Sequence, residues 1–207
     1  MKQVSAIAGL AATTLVLGAA VAGCASNKSP GPSSTMSSSA PTSSAPPPSG
    51  SGAAQPSDYS NLLIKPTDIV VPGDSFTLAQ TLPVPTPAGI EGVFMNQSGS
   101  RKIDDTIYVY AFPATAGQAL DANAKMLSDP DLGVQGTPAS VDVGTGGRMV
   151  VGTSPDGSKA KAVVMFTEGR ALAVVELDSP PNDPVQPDFV TDIAKKQDAA
   201  IKSGLPA

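Results

Sequence analysis

The chain has 207 residues, with 13 Lys plus Arg against 18 Asp plus Glu, no His, no Trp and a single Cys. Without His, no Ser-His-Asp or Cys-His nucleophile–base pair can form within the chain and the usual Cys/His zinc site is ruled out; one Cys cannot make an internal disulfide. A net charge of -5 with no basic cluster argues against a nucleic-acid partner.

Met1-Lys2 is a short positive start, Val4 to Ala20 is uncharged and rich in Ala, Leu, Val and Gly, and Val21-Ala22-Gly23-Cys24 follows. This is the layout of an export signal over residues 1–23, with small residues before the cut. A membrane-spanning helix ending in a buried Cys would also be long enough, but the many Ala, Gly and Thr make the stretch only weakly apolar. A thiol at position 24 offers a nucleophile once ionised. From Ala25 to Ser57 there are 12 Ser and 7 Pro, with Lys28 the one charge and Met36 the one large apolar side chain. Such a segment buries too little surface to offset its ordering entropy, so 24–57 is expected to be a disordered tether. Its reach is about 100 Å if extended and about 30 Å as a coil, and its composition also suits O-glycosylation.

Residues 58–207 carry all 18 acids and 11 of the 13 bases, a formal charge of −7. They are long enough for a single domain that buries roughly 70% of its chain surface. Leu62 to Leu82 is apolar but broken by Pro66, Pro72 and Gly73, which predicts short extended pieces, and Pro83 to Pro87 predicts a stiff loop. Ile90–Asn96 and about Asp105–Phe112 are predicted strands around a turn at Asn96–Ser100, with Arg101, Lys102, Asp104 and Asp105 read as a charged loop. Thr115-Ala116-Gly117-Gln118 has the form of a capping box opening a helix to about Ser128, closed by Asp129-Pro130-Asp131. Gly144–Gly147 reads as a flexible loop, since neither the Lys-Ser/Thr nor the helix of a phosphate cradle follows. Arg148–Thr153, Ala160–Thr167 and Ala171–Leu177 have the punctuation of a β-meander. Pro187-Asp188-Phe189 opens a last helix with Phe189, Ile193 and Ile201 on one stripe and Gly204 as its stop. The order β-β-α-β-β-β-α predicts an α+β fold, an antiparallel sheet with two helices mainly on one face.

Three local patterns carry little chemistry. Asp121, Asp129 and Asp131 lack the ligand spacing of a calcium loop and read as caps and solvated acids. Carboxylate pairs could serve a glycosidase, but the absence of Trp disfavours a sugar cleft. Asn96-Gln97-Ser98 matches an N-glycosylation sequon, a match that carries no weight if the export signal is a bacterial one. No cofactor and no metal are expected. The strands are more informative. Ile107, Val109 and Ala111 alternate with Tyr108, Tyr110 and Phe112, so both sheet faces are apolar and the second needs a cover. That cover is either the Leu62–Pro87 segment folded into a filled core, or a partner or apolar ligand contacting Tyr108, Tyr110 and Phe112.

Val21-Ala22-Gly23-Cys24 resembles the lipobox of bacterial lipoproteins. With the Ser/Thr/Pro/Ala-rich tether and a small acidic domain free of other Cys, the chain resembles the cell-envelope lipoproteins of mycobacteria and related actinobacteria. The resemblance implies a diacylglycerol thioether on Cys24, cleavage before it, and residence on the outer face of the cell membrane; two or more acyl chains make such an anchor stable. The element order and loops of 58–207 are similar to those of the LpqN-type lipoproteins, which implies a Mog1/PsbP-like sheet with flanking helices. It also implies binding of an envelope protein or glycolipid near mycolate transport machinery, with no catalytic motif. The expectation is therefore a non-enzymatic binding or scaffolding module, held at the membrane by Cys24, with no nucleic-acid partner. The alternative is a carrier holding an apolar or lipid ligand between the sheet and residues 62–87. The oligomeric state is left open.

Overall fold

The computed structural model describes residues 58–127, 129 and 133–205, so the signal, Cys24 and the tether lie outside the described residues. After two short 3-10 turns, Ser60–Leu62 and Pro66–Asp68, come β1 (Phe76–Pro85), β2 (Ala88–Asn96) and β3 (Lys102–Val109). Then follow α1 (Pro113–Leu127), the two-residue strands β4 (Gln135–Gly136) and β5 (Ala139–Ser140), β6 (Thr145–Thr153), β7 (Ala160–Glu168), β8 (Ala171–Ser179) and α2 (Pro187–Gly204). All the strands pair antiparallel in one sheet of order β1-β2-β3-β8-β7-β6-β4, with β5 beside β6. The expected α+β class is what is found.

Three departures from the expected elements have simple causes. The Pro-rich stretch expected as a loop is the second half of β1, a full strand paired to β2 through Pro83↔Ile90 and Pro85↔Ala88. A proline has no N–H to give β2, so the ladder tolerates both only where that missing donor faces outward, along the open edge. Gly144–Gly147 is the start of β6 rather than a loop, with a bulge between Thr145 and Arg148. A Cβ at Gly147 would lie 2.5 Å from the Val141 carbonyl oxygen, so only glycine allows the chain to double back so closely there. Finally, α1 begins at Pro113 and not at a Thr115 cap. Proline suits the first helical position because its missing N–H would be unpaired there anyway, which places Thr115 and Gln118 inside the helix.

The helices do not share a face. Alternate residues of a strand point to opposite sides of a sheet. Val164 and Phe166 of β7 join Val190, Ile193 and Ile201 of α2 in one apolar cluster. Val163 and Met165 join Leu120 of α1 in another. The expectation of two helices mainly on one face is therefore corrected: α2 covers one face and α1 the other. Sequence periodicity shows that a helix has an apolar stripe but not which side of the sheet will receive it.

The α2 face receives a second cover. Tyr59, Leu62, Leu63, Ile64 and Ile69, from the 3-10 region ahead of β1, are buried in the α2 cluster with Phe94, Ile103 and Ile107. On the α1 face, α1 packs on β6, β7 and β8, and the same side of β1, β2 and β3 stays partly or fully exposed.

The proline row of β1 has a measurable consequence. An open edge strand is a template for another chain, and prolines at its outward positions withhold the donors that pairing needs. Replacing Pro83 and Pro85 together by Thr is expected to produce larger, concentration-dependent species in sedimentation velocity. A profile matching that of the unaltered chain would show that something else guards this edge.

Candidate functional site

The expected ligand residues separate in space. Tyr108 and Tyr110 point to the α1 face, where they pack beside Leu120, Val163 and Met165. Burial raises the Tyr108 hydroxyl above its ordinary value, helped by the negative charge of Glu91, and burial together with Tyr108 does the same at Tyr110. Both remain protonated donors at neutral pH. Phe112 does not join them: β3 ends at Val109, and Phe112 sits in the bend before α1 with 68% of its surface exposed. The strand ends three residues short of Phe112, and Pro113 takes the first position of α1, so the alternation read through Phe112 does not continue. Residues 59–69 cover the opposite face, and 76–85 form the edge strand of the same sheet rather than a cover over the tyrosines. The room imagined between sheet and segment is filled by Leu62, Leu63 and Ile64.

What lies beside the tyrosines is an open, partly exposed stretch of sheet. Val84 of β1, Glu91, Val93 and Met95 of β2, and Thr106 of β3 share the side chain direction of Tyr108 by register, and all are partly exposed. Towards the other end of the same face runs a row of paired charges. Lys102 Nζ is 2.6 Å from Asp104 Oδ2 and Lys159 Nζ is 2.6 Å from Asp178 Oδ2. Lys161 bridges Glu176 and Asp178, its Nζ 3.2 Å from Asp178 Oδ1. Burial pushes the Asp178 carboxyl up, but Lys159 and Lys161 outweigh it and hold the group below its usual range. The surface therefore pairs an apolar and aromatic end with an ionic one.

The opposite face holds a group that the sequence reading misplaced. Asp105, read both as part of a charged loop and as the start of a strand, is inside β3 and 0% exposed, and neither carboxyl oxygen has a hydrogen-bond partner. Burial pushes its pKa up to about 8, offset only slightly by the nearby Ile64 amide, whose hydrogen goes to Gln197 Oε1 at 3.0 Å. Its neighbour Asp104 points the other way, into the ion pair with Lys102. A signal for this was present: Ile103, Asp105, Ile107 and Val109 form one alternating row once the strand is started at Lys102.

Other features resolve as structure. Asn96, of the sequon, is buried and its Nδ2 donates to Asp74 Oδ2 at 2.7 Å, pinning the β2–β3 turn to the chain ahead of β1. Asp121 pairs with Arg148 at 3.5 Å, while Asp131 is outside the described residues. A cavity of about 570 Å³ opens between the start of α1, the β7–β8 turn and the end of α2. Its charges answer one another: Lys202 bonds Asp198 and lies 3.6 Å from Glu168, and Arg170 donates to the Tyr110 carbonyl. Among the described residues no group of three or more His, Cys, Asp or Glu is placed to hold a metal ion, and no helix is long and apolar enough to cross a membrane. Comparison with protein-family models, with curated proteins and with solved structures finds no match.

Proposed function

We propose that this chain is a membrane-anchored cell-envelope lipoprotein whose domain is a non-enzymatic binding module for an envelope protein or glycolipid. The anchor is the acylated Cys24. The working surface is the uncovered side of β1, β2 and β3 around Val93, Thr106 and Tyr108. The observation that supports this reading is the asymmetry of the α1 face. α1 closes only the β6–β8 half, and the other half presents valine, methionine and tyrosine side chains beside fixed charges. An open apolar area rimmed by polar groups is characteristic of an interaction surface. Among the described residues no helix covers it, and an open area of this kind suits a protein partner better than a buried small molecule.

The test places a photo-crosslinking residue at Val93 or Thr106 of the full chain in its native envelope, with Lys195 on the exposed side of α2 as the control. A reproducible adduct from the sheet positions and none from Lys195 is expected, and its mass distinguishes protein from glycolipid. The same adduct from all positions, or none, would refute the binding surface. Cys24→Ala tests the anchor separately. It is expected to abolish fatty-acid labelling and release the chain from the membrane fraction, and retained label would refute lipidation whatever the crosslinks show.

A further inference from the structure

Residues 59–71 are held on the domain without strand pairing. They form two 3-10 turns and pair with no strand of the sheet; the one bridge nearby, Val71↔Asp74, is local. Their polar attachments are side-chain bonds to and from α2. Gln197, itself 0% exposed, accepts the Ile64 N–H at 3.0 Å and donates to the Leu62 carbonyl at 2.7 Å. Lys196 Nζ donates to the Asp68 carbonyl at 2.7 Å, and Asn61 Nδ2 donates to the Gly204 carbonyl at 3.1 Å.

Beneath this segment lies the row Gly92–Asp105–Val175, one residue from each of three neighbouring strands. A Cβ at Gly92 would be 2.9 Å from Leu63 Cδ1, so Leu63 rests directly on that row. The Asp105 carboxyl therefore sits in a closed apolar layer with both oxygens unbonded. The Ile64 amide is the nearby polar group, and the buried cluster on this face, to which the segment gives Leu62, Leu63 and Ile64 and α2 gives Val190, Ile193 and Ile201, is apolar. The other ionisable group of this core is the Tyr59 phenol, also buried and unbonded. The charged groups at its margins are engaged elsewhere: Asp58 with the Ser60 N–H, Asp68 with the Lys65 N–H, Lys196 with Asp192, and Asp198 with Lys202.

We propose that residues 59–71 are a releasable strap that stays closed only while Asp105 is neutral, and that ionisation of Asp105 lifts the strap while the sheet remains folded. An unpaired buried carboxylate is not sustained; it must be hydrated or take up a proton. The route to water through β3 would break ladders on both sides of a central strand. The route through the strap breaks a few side-chain bonds and exposes one apolar layer. Local opening follows the cheaper route.

The experiment is hydrogen exchange by mass spectrometry on the lipidated full chain in detergent, at pH 6 and pH 9, corrected for the intrinsic chemical rate. With the carboxyl near about 8 when the strap is closed and at its ordinary value once hydrated, protection over residues 60–70 is expected to fall roughly a hundredfold between pH 6 and pH 9. β7 and β8 should keep their protection, and Asp105→Asn should hold the strap closed at both pH values. Asp105→Leu serves the same comparison should the Asn variant fail to fold. Unchanged protection in the native chain, an equal loss in the neutral variant, or loss in strap and β7 together would each overturn the proposal.

Discussion

Asp105→Asn is expected to make the domain more stable, and increasingly so as the pH rises. In the folded domain this carboxyl is raised from 3.8 to about 8; in the unfolded chain it ionises near the ordinary value. Between those limits the folded state holds a proton that the unfolded state has lost, so stability falls as pH climbs. The contribution is intact below the unfolded value and fully lost only above the folded one. At pH 7 the penalty spans about three pH units, on the order of 4 kcal/mol before strap opening relieves part of it. Asn keeps the shape and, like the neutral acid, lacks partners; it removes the titration alone. For a domain of this size the variant should melt roughly 10 °C higher at pH 7, with the two curves meeting near pH 4. Thermal denaturation followed by circular dichroism from pH 4 to pH 9 checks this. Melting curves that coincide throughout would mean that water or a partner group reaches Asp105.

Lys161→Met is expected to act in the opposite direction. Lys161 is 17% exposed and bridges Glu176 and the 7%-exposed Asp178 on the adjacent strand. Methionine fills the aliphatic space but leaves two acids facing each other with only Lys159 still on Asp178. Removing one member of a buried ion pair costs about 3–5 kcal/mol. The remaining lysine and the partial exposure of Glu176 reduce the expected loss to about 2–3 kcal/mol, read as a lower urea midpoint. Asp178 is held below the usual carboxylate range, so its contribution is present above the unfolded value and is lost as pH falls through the folded one. The gap between native and variant chains is thus widest at neutral pH and closes in acid. Adding Glu176→Gln to Lys161→Met should recover part of the loss. No recovery would show that the row of charges is not coupled.

These two residues also show what can and cannot be read from one dimension. The β7 and β8 runs and the α2 stripe were visible because apolar spacing is a local property. The start of β3 was not, because four charged residues in five masked a row whose odd members point inward. β1 was hidden by its prolines, which signal a loop to any local reading and become permissible only at an unpaired edge. Tyr108 and Tyr110 were correctly seen to share a face. That the face is half covered by α1, while residues 59–71 cover the other, depends on which way the chain crosses the sheet after β3, and no residue pattern encodes that direction. Phe189 and Val190 make the same point at small scale: Val190, not Phe189, is the fully buried residue in the first turn of α2.

The pairing of β3 with β8 joins the two halves of the sheet across more than sixty residues of chain, from Val109 to Ala171. Until β8 is in place, in whatever order the chain folds, β3 has a free edge. Long-range pairings of this kind close slowly. In that interval Asp105 is wetted and carries its ordinary negative charge, beside Lys102 and Asp104 on the same strand. The residue that strains the finished core is, at this earlier stage, part of what keeps an unfinished edge from recruiting the wrong neighbour.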